Sequence, residues 1–493
     1  MTAGLIILVS GSKEKYYLTR KPEITFFKVV YKRHTNFSIE TVPQYFINPL
    51  DFGKQSTLII GKNGDLISKI YLHLELPVLP ENISTKPLYY LQYTNNLGYV
   101  LVNKIELEIG GIIIAQEYGE WMYIWKELST PINQMRGINK MIGNSDEFTK
   151  KERSKPSLNL DIPLSLWFCQ NTGNALPIVS LTHDEIKLHV ELRTLNEVLI
   201  QSPQKYISVN ENFSGLEVGE KIIQNVNGIE SAGEFIEFDI VNKRLYYNPL
   251  YGEFQVPSEI NSNFILIGSQ GYQHNIVSNS DIPSSVTDYF NLNPPGMTNA
   301  YCLINYIFLD NEERYLYLTK NHEYLVPILQ NIPEESVFSG NVKLNLPIVH
   351  PVFSLFWRVI LEDNIQRKDY FNYSTFPITD EPKTIIKNVK MLLNGNPLSN
   401  LEIEQFFSPI QKFYYFKGRG NRFLYHYSFS LHPLEMGGQP YGSLNFSKLE
   451  DSYLQLTLDG LINYRIPARL KAYAFGYNIF RIIDGTGKLV FSS

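Results

Sequence analysis

The residues that could do chemistry are few and poorly grouped. His426, His432 and Glu435 are the nearest approach to a metal site. They lack the His-x-His spacing by which a β-sandwich strand aims two imidazoles at one ion, so a core or turn role suits them better. Glu402 and Glu404 have the two-residue spacing of acids on one strand face, and a carboxylate pair could serve glycoside hydrolysis. Two acids on one face are more commonly a solvated surface. No Gly-rich phosphate loop and no nucleophile elbow is present. Cys169 and Cys302 are the only cysteines, too few for a disulfide scaffold or most structural zinc sites, and they read as reduced, buried thiols. Five Asn-x-Ser sequons occur, at Asn36, Asn82, Asn212, Asn372 and Asn445. Asn212, Asn82 and Asn372 are the candidate glycosylation sites, with Asn212 the best placed. The reading is of no catalytic, cofactor-binding or metal-binding residues, hence no enzyme and no cofactor.

Charge narrows the partners. Lys and Arg number 44 against 49 Asp and Glu, a net of −5. A protein that wraps nucleic acid by neutralising phosphates needs a basic excess, so no direct sequence-specific nucleic-acid contact is expected. The one basic run, Lys28, Lys32, Arg33 and His34, is interleaved with Phe26, Val29, Val30 and Tyr31. It reads as the base of a strand with charged edges or as a plain solvated face, and only weakly as nucleic-acid binding. No run of about 18 apolar residues exists, and the short apolar N-terminal stretch lacks a basic start. The expectation is a soluble chain made inside the cell.

The elements that must position these residues are strands. Ile70, Leu72, Leu74 and Leu76 alternate with polar neighbours, as do Ile105, Leu107 and Ile109, then Ile186 to Leu192, then Leu454 to Leu458. Gly110-Gly111 and Asn394-Gly395 are hairpin signals. Aromatics are 13% of the chain (33 Tyr, 29 Phe, 4 Trp), a diet suited to pleated surfaces. Helices are few. Tyr118, Trp121, Trp125 and Leu128 predict one over 117–128, and a second candidate at 311–325 opens with Asp310-Asn-Glu-Glu313. Residues 103–111 echo residues 387–395 at an offset of 284, which two copies of one sandwich would produce. Between about 196 and 298 the chain turns rich in Asn, Ser, Gly and Pro. That is too long for a connection and reads as a large insertion with its own β structure.

Pro22 to Phe37, Asp51-Phe-Gly53 and Asn63 to Leu72 resemble the opening of the major capsid proteins of nucleocytoplasmic large DNA viruses. Ala300 to Arg314, His350-Pro351 with Leu355-Phe-Trp357, Tyr427 to Glu435, Gly442 to Ser447 and Ala474 to Gly487 continue the resemblance in order. It spans 4–195 and 299–493, and the insertion carries no matching motif. The resemblance implies an all-β fold of two tandem eight-stranded antiparallel jelly rolls, a double jelly roll. Its expected parts are an arm at 1–23, a first roll at 24–312 holding the insertion, a linker helix at 313–325 and a second roll at 326–493. It further implies a major capsid protein that forms homotrimers, pseudo-hexagonal capsomers tiling an icosahedral shell assembled in host cytoplasm. Partners would be neighbouring capsomers, minor capsid and penton proteins, and the inner viral membrane or scaffold proteins near the base. A minor capsid paralogue and a jelly-roll attachment or carbohydrate-binding virion protein are the alternative readings.

Overall fold

Alternating residues do build paired sheets. The structure is a computed structural model that describes residues 19–29, 31–81, 87–209, 215–256, 263–268, 273–277, 284–285, 294–379, 381–398, 403–418, 420–435 and 438–491, with a few single positions besides. The first half contains β1 (Phe37–Tyr45), β2 (Gln55–Ile59), β3 (Leu66–Leu76), β4 (Val102–Ile109), β5 (Ile112–Tyr118), β6 (Leu158–Pro163), β7 (Ile186–Leu192) and β8 (Asn299–Leu309). They form two four-stranded sheets, β1-β8-β3-β6 and β2-β7-β4-β5. The second half contains β9 (His322–Asn331), β10 (Asn341–Asn345), β11 (Pro351–Leu361), β12 (Ile386–Leu393), β13 (Asn396–Pro397), β14 (Tyr425–Ser428), β15 (Ser452–Leu458) and β16 (Ala468–Ile483). Their order is β9-β16-β11-β14 and β10-β15-β12-β13, the first half's order shifted by eight, with short strands at 335–337, 444–445 and 486–489 added. This is a double jelly roll, antiparallel throughout. The echo at offset 284 is real in space, since β4 and β12 hold the same place in their sheets.

Each sandwich is closed by the inward-facing half of its alternation. Ile70, Leu72, Leu74, Leu107, Leu188 and Ile304 are among the buried residues of the first, and Leu355, Trp357, Val389, Leu456 and Leu470 of the second. The turn between β4 and β5 needs positive φ at two successive residues, supplied by Gly110 (+59°) and Gly111 (+82°). Register sets the ends of the first roll. Phe37 pairs with Leu309 and Tyr45 with Tyr301. The arm before β1 and the helix after β8 therefore lie at one end, and the insertion leading into β8 lies at the other.

The insertion builds a sheet and an apolar cluster of its own. Seven strands between Lys205 and Ser285 make one antiparallel sheet around Ile207, Ile222, Phe235, Leu245, Tyr247, Leu266 and Ile276. Its root is held from the second roll, where Lys368 Nζ donates to the Leu199 carbonyl (2.7 Å) and Tyr370 OH to the Glu197 carbonyl (3.0 Å).

Three expectations are corrected. The helix expected over 313–325 is α2, Asn311–Thr319: Asp310 caps it by accepting from Glu313 N–H at 2.9 Å, and from His322 the chain is claimed by a ten-residue ladder with β16. The helix expected over 117–128 is α1, Gly119–Ser129, because Glu117 and Tyr118 still pair with β4. The basic run is not in a strand; β1 begins only at Phe37, and the described residues from 24 to 36 are exposed and without strand. Because the insertion has a separate core, excising 204–294 with a short Gly-Ser bridge should leave both rolls folded. Thermal melts by circular dichroism should keep one cooperative transition within a few degrees of the full chain.

Candidate functional site

With no group of metal-ligating side chains among the described residues, the place to look is where the two halves meet. α1 starts directly where β5 ends, so its first turn leaves the first roll and enters the second. Trp121 and Trp125, one turn apart, stack at 5.9 Å and press on the outer face of β11 and β16. Trp121 lies 5.2 Å from Phe356 and 4.9 Å from Phe475, and Trp125 lies 5.5 Å from Phe475. Trp167 adds a second contact with Phe480 at 5.7 Å. All these rings are buried, so they belong to one core spanning both rolls. Truncating any of them would cost about 3–5 kcal/mol.

Inside this apolar contact sits a small network of ion pairs. Glu120, one residue before Trp121, accepts from Arg358 Nε (2.5 Å) and Nη2 (3.1 Å), from Tyr473 OH (2.8 Å) and from Tyr373 OH (3.1 Å). Lys471 Nζ stands 3.6 Å away. Arg358 also donates to Glu334 (2.7 Å) and to the Arg469 carbonyl (3.1 Å), while Arg469 grips Glu362 at 2.6 Å. Burial alone would raise the Glu120 carboxyl. The charges of Arg358 and Lys471 and the hydrogen bonds from Arg358 and Tyr473 outweigh it and hold the group down at about 2. The adjoining cleft, bordered by Tyr118, Arg193, Tyr370 and Lys471, encloses about 170 Å³. Ordinary small-molecule sites run to roughly 300–1,000 Å³. The arrangement is built to join two surfaces rather than to hold a substrate.

A second tie closes the far end of α1. Its last carbonyls lack helical partners, as at any helix C-terminus. The second roll supplies them: Gly418 N–H donates to Leu128 O (2.8 Å) and Gly420 N–H to Glu127 O (3.0 Å). Asn421 Nδ2 donates to Tyr123 OH (3.1 Å), and the Tyr123 ring lies flat on Phe371 at 3.9 Å. The approach at Gly418 is so close that a Cβ there would stand 2.1 Å from Glu127 O.

The residues singled out from sequence fall elsewhere. His426 is buried on the outer face of β14, its Nε2 3.2 Å from Ser354 Oγ, and burial pushes its imidazole well below the ordinary range. His432 rests edge-on against Tyr441 at 4.9 Å. No group of metal-ligating side chains occurs among the described residues. Glu404 is buried and accepts from Tyr425 OH at 3.3 Å, with burial raising its carboxyl, whereas Glu402 lies outside the described residues. Burial raises both Cys169 and Cys302 thiols. Asn372 donates both amide hydrogens, to Asp369 (3.0 Å) and to the Phe376 carbonyl (3.1 Å), while Asn82 and Asn212 lie outside the described residues. The junction residues Glu120 and Arg358 were not foreseen. The available signal was Arg358 itself, a cation inside Phe356-Trp-Arg-Val-Ile360, which an apolar strand carries only if a partner meets it.

The family described as "Major capsid protein N-terminus" matches residues 25–231, and "Large eukaryotic DNA virus major capsid protein" matches 313–488. The first match runs into the inserted segment, farther than the sequence motifs alone suggested. "Probable capsid protein 4" of Acanthamoeba polyphaga mimivirus is 30% identical over 516 aligned residues, with 100% of each chain covered. Among solved structures, PBCV-1 VP54 superposes with a TM-score of 0.64 at 21% identity, covering 95% of this chain and 100% of that one. The Faustovirus major capsid protein gives 0.66 at 12% identity, covering 96% and 94%.

Two predictions follow from the junction's geometry. A folded carboxyl held at about 2, against 4.5 when unperturbed, adds stability that is present above pH 4.5 and lost as pH falls from about 5 towards 2. That contribution is about 3 kcal/mol. Urea unfolding between pH 7 and pH 3 should therefore show a smaller acid loss in Glu120→Gln than in the unaltered chain, and a lower stability at pH 7. Gly418→Ala should lower the melting temperature by several degrees, since the added methyl must push the loop off α1.

Proposed function

The chain belongs to the major capsid protein family of large eukaryotic DNA viruses, and on that premise we propose that three copies close into a pseudo-hexagonal capsomer and that capsomers tile an icosahedral shell. As a member of that family it is a structural component of the virion capsid. The observation that carries the finer reading is the junction: two equivalent rolls are fixed side by side as one body, so a single chain already supplies two of six equivalent positions around a ring. A closed ring of three uses one heterologous interface three times. Such interfaces are large and aromatic-rich, and this chain keeps large apolar side chains on its surface accordingly.

The end of the first roll opposite the insertion supports a base. Phe26, Phe27, Val29 and Tyr31 are almost wholly exposed there, beside Lys28, Lys32 and Arg33. A segment with that much unburied apolar surface suits a covering partner, and scaffold or minor capsid proteins beneath the shell are the proposed ones. The insertion stands at the other end, as the outward tip, with Asn212 the proposed glycan acceptor. The role assigned is structural, with no catalysis and no cofactor. Assembly in host cytoplasm, with penton proteins and an inner membrane as further neighbours, completes the reading.

Size-exclusion chromatography with light scattering tests it. The expected mass is three times 56.9 kDa. A monomer at every concentration tried would contradict the capsomer, and mass spectrometry of virions should find this chain dominating the protein mass if it is the major rather than a minor shell protein.

A further inference from the structure

The junction of the two rolls carries more positive charge than its carboxylates answer. The cleft beside Glu120 is lined by four cations, Arg193, Arg358, Arg469 and Lys471, against two carboxylates, Glu120 and Glu334. Arg358 is committed to both acids. Arg469 is committed to Glu334 (3.3 Å) and, beyond the lining, to Glu362 (2.6 Å). The other two cations are less well matched. Lys471 Nζ stands 3.6 Å from Glu120, outside hydrogen-bond reach, and lies over the Tyr473 ring at 4.9 Å. Arg193 has an aromatic partner rather than an acidic one, its guanidinium standing 5.3 Å from the centre of the Tyr370 ring. Its Nε is enclosed by protein and has no acceptor among the described residues.

An enclosed N–H without an acceptor is costly, and such groups call for a partner from outside the chain. A guanidinium offers a fork of donors that fits the edge of an oxyanion, and an ammonium adds a point charge with three donors. The two come from different rolls, Arg193 just after β7 and Lys471 within β16. Glu120 does not oppose an anion strongly, because Arg358, Tyr373 and Tyr473 already bond it. The enclosed space of about 170 Å³ exceeds what one water needs and falls short of most organic ligands. The Lys471 side chain keeps 18% of its exposure, so an ion can reach it from solvent. Size, donors and charge together suit a small tetrahedral oxyanion.

We propose that this cleft binds one phosphate-like oxyanion per chain, held by Arg193 of the first roll and Lys471 of the second. The ion is a part of the joint and not a substrate. It gives Arg193 Nε an acceptor, offsets the excess positive charge and ties the two rolls beside Glu120. An ion that binds only where both rolls are in place stabilises the folded chain in proportion to its concentration. The site lies within one chain, so it stands whether or not three copies close into a capsomer.

Melts of the full chain in sodium phosphate and in sodium chloride, at one pH and equal ionic strength, test this. About 20 mM phosphate should raise the midpoint by about 2 °C or more over chloride, and isothermal titration should saturate near one ion per chain. A phosphate monoester, glycerol 3-phosphate, run beside it separates the sources: a response to both salts assigns the terminal phosphate of a larger molecule, and a response to inorganic phosphate alone assigns the free ion. Arg193→Gln and Lys471→Gln should each weaken binding about 10-fold or more and lose most of the shift. Arg465→Gln, which removes an exposed cation elsewhere on the second roll, should keep it. If Lys471→Gln fails to fold, Arg193→Gln decides. Equal midpoints in phosphate and chloride overturn the proposal, since water then suffices for Arg193. A shift that survives in Arg193→Gln overturns it too, because the ion then binds elsewhere. Light scattering on the same samples reads the oligomeric state separately, so neither outcome touches the capsomer reading.

Discussion

A carboxylate buried between two sandwiches must be matched or the sandwiches separate. Glu120 is that carboxylate, and its charged and hydroxyl partners, Arg358, Lys471, Tyr373 and Tyr473, all come from the other roll. The stacked Trp121 and Trp125 supply the apolar area, but an apolar contact alone tolerates sliding. The ion pair does not. A shift of one residue along β11 would leave a buried guanidinium and a buried carboxylate uncompensated, at several kcal/mol. The rings thus hold the rolls together and Glu120 sets one register between them. The glycine contacts of the 416–421 loop with the end of α1 fix the same helix at its other terminus.

A rigid pair of rolls is the useful unit for a shell. Jelly rolls leave edges and faces that would pair promiscuously if presented loosely. Here the second roll's outer sheet face is closed within the chain, and the insertion's root is tied to the second roll by Lys368 and Tyr370. What remains exposed is ordered in space: Phe37, Ile39 and Tyr45 on the first roll, Phe413 and Tyr414 on the second, and the segment before β1 at the end of the first roll opposite the inserted sheet. Specific assembly needs that order, because each open patch then has one geometry in which to be covered.

Much of this was legible in the chain. Period-2 alternation located β3, β4, β7 and β15, the two glycine hairpins fell where Gly110-Gly111 and Asn394-Gly395 predicted them, and the echo between 103–111 and 387–395 proved to be a true equivalence. The change of composition after about residue 196 coincides with the separate sheet between Lys205 and Ser285. What was not legible depends on partners distant in sequence. Nothing local in Gly119-Glu-Trp121 says that Glu120 faces a cation 238 residues away. α2 stops at Thr319 because β16 claims the residues from His322, a tertiary pairing that outweighs helical spacing at Leu316, Lys320 and Tyr324. The segment around Lys28 reads as a strand because its residues are strand formers; within one chain it finds no sheet edge to join.

Hydrogen exchange of the purified chain, read by mass spectrometry, tests most directly whether Glu120 and its ring neighbours make one body of two rolls. Peptides from α1, from β3 and β4, and from β11 and β16 should share a single opening free energy, equal to that of global unfolding. Protection lost from the second roll while β3 and β4 remain closed would contradict the account.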